Sequence, residues 1–143
     1  MSTIFDTVPR KDSLRFWRGG ELDGRKVTDF LQFSTQDVSR IAQVAKASVR
    51  FDSRMPPQVE ERLALIANIC NLVFEHFDDQ AKTALWFKTP NPLLGNVSPR
   101  DMIRYGRYHK LLRFVTEALQ AGSRREQAKE KAAAQEAQTS LPI

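Results

Sequence analysis

Apolar residues along this chain recur at helical intervals, and no alternating run long enough for a strand interrupts them. Val27, Phe30 and Leu31 share one helical face, with Asp23 placed to cap the N-terminus. Ser34 opens a second helix with Asp37 three residues on, a capping-box spacing, and Val38, Ile41 and Ala42 point inward. A short third helix is expected from Lys46 to Asp52, ending before Met55-Pro56-Pro57, since the residue before a proline avoids helical geometry. Proline costs little in a first turn, so the next helix starts near Pro57. Its apolar positions Val59, Leu63, Ile66, Cys70, Val73 and Phe77 alternate steps of four and three, the clearest periodic signal in the chain.

Asp78-Asp79 can cap a further helix through Ala81, Leu85 and Trp86, which the two prolines of Thr89-Pro90-Asn91-Pro92 stop. Ser98, Pro99 and Asp101 form a strong helix start, and Gly106 ends that short helix. Tyr108, Leu111, Leu112, Val115 and Leu119 form the inner face of the last core helix, with Gly122 as its expected terminator. The expected fold is all-α, with helix-turn-helix-like N-terminal helices packed on a small C-terminal helical domain. Its divisions are an irregular leader (1–24), a helical domain (25–77), a second helical domain (78–122) and a polar tail (123–143). The leader carries Pro9, Gly19-Gly20 and two aromatics, Phe16 and Trp17, that need a surface to dock on. The tail is expected to be mobile, because residues 124–138 are only Ala, Gln, Glu, Lys and Arg and offer no face to bury.

Composition narrows the function. At 143 residues, 41% hydrophobic, the chain can build a core without covalent staples. One cysteine, Cys70, rules out an internal disulfide framework, and two histidines, His76 and His109, are too few for a histidine metal cage. No nucleophile elbow, phosphate-binding glycine loop or paired metal histidines occur, so neither catalysis nor a cofactor is expected. No apolar stretch is long enough for a membrane span, and Met1 to Gly24 lacks the apolar core of a secretory signal, which favours the cytoplasm. Lys plus Arg number 22 against 17 acids, a formal +5, which favours an anionic partner, nucleic acid first.

The block Thr35 to Arg50 has the size pattern of a helix-turn-helix, with Val38, small Ser39, then Val44 and Val49 inward. On this reading the second helix enters the major groove of operator DNA with Lys46, Ser48 and Arg50, while Thr35 and Gln36 grip phosphate. Gln43 stands where the turn usually carries glycine. Such readers work as symmetric dimers, so a homodimer is expected.

From Ala84 to Gly122 the order Trp86, Thr89-Pro90-Asn91, Leu94-Gly95, Ser98-Pro99, Met102-Ile103, Gly106, Val115 and Leu119 resembles the toxin-binding domain of the Xre/MbcA/ParS antitoxins. The upstream block and the helix from Pro57 resemble that family's N-terminal half, so the likeness spans residues 25 to 122. Tyr105-Gly106-Arg107-Tyr108 departs from it, being more basic and aromatic. The resemblance implies an antitoxin that covers the NAD pocket of a RES-domain, NAD-destroying toxin and represses its own operon. The toxin-contact candidates are Trp86 and Asn91 in the motif, with Arg100, Arg104, Tyr105, Arg107 and Tyr108 chosen for the exposed basic, aromatic face that they are expected to form. A transcription regulator without a toxin partner is the alternative.

Overall fold

Six helices and one small hairpin make up residues 11–139, the part of the chain that the computed structural model describes. The first ten residues of the expected leader and residues 140–143 of the expected tail lie outside it. Strands β1 (Trp17–Arg18) and β2 (Glu21–Leu22) pair antiparallel. Helices α1 (Gly24–Leu31), α2 (Thr35–Ala42), α3 (Pro57–Phe77), α4 (Gln80–Lys88), α5 (Pro99–Arg104) and α6 (Tyr108–Thr139) follow. The fold is all-α, as the periodicity predicts.

The predicted caps form. The Asp23 side chain accepts from the Lys26 N–H, and Ser34 and Asp37 make a complete capping box at α2. Asp79 accepts from Lys82 N–H and Ser98 from Asp101 N–H. Each satisfies a backbone donor that has no partner within its own helix. Helix α3 is the centre of the molecule and packs against α1, α2, α4 and α6. Its predicted stripe from Val59 to Val73 is buried, and Leu65, Ala67, Ile69 and Leu72 bury its other sides, because helices surround it. Buried residues from Leu14 to Val115 form one cluster.

The described part of the leader is docked, as its aromatics require: Phe16 is 1% exposed and Leu14 is buried. Asp12 holds it, accepting from the N–H groups of Phe16 and Trp17 and from the Asn71 amide on α3, whose Oδ1 accepts from the Leu14 N–H. By contrast, the helix expected from Lys46 to Asp52 is only a 3-10 turn, Lys46–Ser48. Val44 and Val49 lie five residues apart, which places them on different helical faces, so no apolar stripe holds a helix there. Nor does Gly122 end α6, which runs on to Thr139. A single glycine costs about 1 kcal/mol against alanine, and a helix already nucleated by packing propagates through it into strong helix formers. Residues 123–135 of this arm are exposed.

Candidate functional site

The Thr89 to Ser98 segment is a short built loop. The Asn91 side chain accepts from the Leu93 N–H at 2.9 Å, and its backbone N–H donates to the Val97 carbonyl at 3.1 Å. Gly95 closes a 3-10 turn, Pro92–Leu94, in the left-handed region. This holds Leu93 outward at 79% exposure, and Leu85 on α4 stands 64% exposed. Trp86 is half-buried with its ring edge-to-face on Phe87 at 5.0 Å, and Phe87 is fully buried. Trp86, Asn91 and Leu93 border an apolar cleft of about 220 Å³ whose floor is Val73, Phe77, Phe114 and Leu119. Exposed apolar side chains around a pocket mark a contact surface for an apolar partner group.

The arginines of α5 are engaged within the fold. The Arg100 guanidinium donates to the carbonyls of Leu31 and Gln32, the latter at 2.6 Å, and lies over the Phe33 ring at 5.3 Å. Arg104 bridges Asp37 at 3.0 Å and Asp101 at 3.1 Å. Burial alone would raise the Asp37 pKa, but hydrogen bonds from Ser34 and Arg104 outweigh it and hold the carboxyl below its ordinary value. Both arginines are half-buried, so they are not the free solvent-side cations that the sequence suggested. Tyr108 is buried beneath the Arg62 guanidinium, 5.1 Å from its ring centroid. Of the basic, aromatic set, Tyr105 and Arg107 are exposed, and neither borders the apolar cleft.

The residues expected to meet DNA are split. Thr35 and Gln36 are exposed on the first turn of α2. Lys46 and Ser48 are exposed on the 3-10 turn, and Arg50 is paired with Asp52 at 3.0 Å, so no helix presents these three. Two short helices joined by a tight turn lie one element earlier. Helices α1 and α2 have eight residues each, joined by Gln32, Phe33 and Ser34, with Gln32 left-handed at φ 57. Val27, Leu31, Phe33, Val38 and Ile41 are buried in the common core, where both helices pack against α3. The outer face of the pair carries Thr35, Gln36, Arg40 and Gln43, with Ser39 at its edge, while Asp37 turns inward to Arg104. The sequence pattern assigns Ser39 to helix packing and Gln43 to the turn, and it does not single out Arg40. The apolar pair Leu31 and Phe33 flanking Gln32 was the available signal for the earlier turn.

Burial pushes the Cys70 thiol up, which leaves it an inert core group. Among the described residues no group of three His, Cys, Asp or Glu could hold a metal ion, and no helix is long and apolar enough to cross a membrane.

No protein-family model matches the chain, and no curated protein matches it. A solved structure that it resembles is a chain of the M. tuberculosis MbcT–MbcA toxin–antitoxin complex. The two share 23% identity with a TM-score of 0.44, over 66% of this chain and 87% of that one.

Proposed function

We propose that this protein is an antitoxin that binds a cognate toxin through the cleft beside the Thr89–Ser98 loop. The observation that carries the reading is Leu93, 79% exposed on a hydrogen-bonded loop beside an apolar cleft, within the segment that resembles the antitoxin toxin-binding motif. A rigid loop presents its anchor without an ordering cost, and such anchors carry most of an interface's energy. Neutralisation works by covering the toxin's NAD pocket, which asks for shape and apolar complementarity and for no catalytic group. Capture of the co-encoded toxin tests this. Leu93→Asp should weaken capture at least about 30-fold, the loss of one anchor of about 2 kcal/mol. The melting temperature should hold, because the side chain is in solvent. Full NAD consumption by toxin in the purified complex would overturn occlusion.

A second activity, autoregulation by DNA binding, is favoured by the outer face of α2. Glutamine and arginine side chains are the groups that read adenine and guanine edges in the major groove, and that face offers Gln36, Arg40 and Gln43 with no carboxylate among them. In this reading α2 is the reading helix and a symmetric dimer places two copies one helical turn apart. Gln36→Ala should reduce discrimination between the upstream operator and unrelated duplex in a gel-shift titration.

A further inference from the structure

A second hollow, of about 480 Å³, opens where the α5–α6 turn meets the C-terminal end of α2. Arg40 and Ile41 come from α2, Gln43 is its C-cap, and Arg104, Tyr105, Gly106 and Tyr108 come from the turn and its flanks. Two cations and no carboxylate are among these residues, and Arg104 is already paired with Asp37 and Asp101. The turn is rigid. Tyr105 N–H donates to Asp101, Gly106 N–H to Ile103 and Arg107 N–H to Met102, at 2.8 to 3.0 Å, and Gly106 takes the positive φ of 82 that this closure needs. Tyr105 is 60% exposed and Arg107 stands in solvent beside it. The Arg104–Asp37 pair then fixes this turn at one distance from α2.

We propose that the α5–α6 turn is a phosphate clamp, in which the Tyr105 hydroxyl, Arg107 and Arg40 hold the DNA backbone that borders the groove read by α2. The inference rests on the DNA-binding reading. When a helix lies in the major groove, an element fixed beside the end of that helix meets the bordering backbone, where donors and cations satisfy phosphate oxygens. Such contacts fix position and strengthen binding to every sequence alike. The turn therefore belongs to the DNA surface, while the cleft at Leu93 serves the toxin.

The test is fluorescence anisotropy with two duplexes, a mixed-sequence one of about 30 base pairs, enough for two half-sites, and the segment upstream of the reading frame. Titrations run from about 50 to 200 mM salt, and Arg107→Ala should weaken binding to both duplexes and lower the salt slope by about 0.9, one phosphate contact. Arg40→Ala should do the same, and Tyr105→Phe should weaken both duplexes without a change of slope. Gln36→Ala should keep the slope and lose preference for the upstream segment. Lys129→Ala, an exposed cation on the α6 arm, controls for net charge and should change nothing. If Gln36→Ala acts while Arg107→Ala binds as wild type, α2 still reads DNA and the clamp is wrong. A Lys129→Ala loss equal to that of Arg107→Ala overturns it too, as does an Arg107→Ala variant that binds DNA normally but fails to capture toxin. If the wild type binds neither duplex, the DNA reading and the clamp fall together.

Discussion

Asp37 does three things with one carboxylate. It closes the α2 capping box, pairs with Arg104 and leaves the outer face of α2 free of negative charge. Its folded pKa lies below the unfolded value near 3.8, so its stabilising contribution is complete above that value and is lost as pH falls through the folded one. Asp37→Asn should therefore cost about 1–3 kcal/mol near neutral pH, measured by urea unfolding. The gap to wild type should shrink in acid; a gap that stays constant would mean that the charge is not what matters. Phe16 gives the second prediction at this scale. Its burial beside Phe30, ring centroids 5.8 Å apart, makes it a core residue in a segment without helical periodicity. Phe16→Ala should cost about 3–5 kcal/mol, visible as an earlier urea midpoint.

Among the elements, α6 departs most from its expected extent. Gly122 lies inside it with nothing within 4 Å of where a Cβ would stand. Gly122→Ala should therefore stabilise the protein by about 0.5–1 kcal/mol, since alanine loses less backbone freedom on folding and meets no clash. Thermal melting checks the sign, and a lower melting temperature would show that the helix does end there. The 3-10 turn at Lys46–Ser48 is the opposite case, a predicted helix that lacks a face to bury. The two departures have opposite causes. The exposed end of α6 is carried by helix propensity beyond a packed first half, whereas the 3-10 turn has no apolar stripe for packing to hold as a helix.

Across the whole molecule, α5 joins the loop that borders the apolar cleft to α2. Arg100 grips the α1–α2 turn and Arg104 grips α2, so the two surfaces share a frame. Charge reversal separates the arginines. Arg104→Glu sets three carboxylates together at a half-buried site and should cost about 2 kcal/mol or more. Arg107→Glu, in solvent, should stay within about 0.5 kcal/mol. Differential scanning calorimetry of the two variants distinguishes these outcomes, and equal melting temperatures would mean that the Arg104 bridges contribute nothing.

Local patterning determined the all-α class, the caps at Asp23, Ser34, Asp79 and Ser98, and the buried stripe of α3, because each depends on residues within a turn or two of one another. The family resemblance, not the local pattern, singled out Trp86 and Asn91, while the helix-turn-helix pattern singled out Thr35 and Gln36. Local patterning could not tell that Arg100 and Arg104 would turn inward, since their partners Leu31, Gln32 and Asp37 lie more than sixty residues away in the chain. Nor could it tell that Leu93 would stand in solvent or which surface would cover Phe16, because an apolar side chain has no preferred side until a neighbouring element covers it. The docking of α5 on α2 and of the leader on α3 made those choices, through contacts that exist only once the helices have packed.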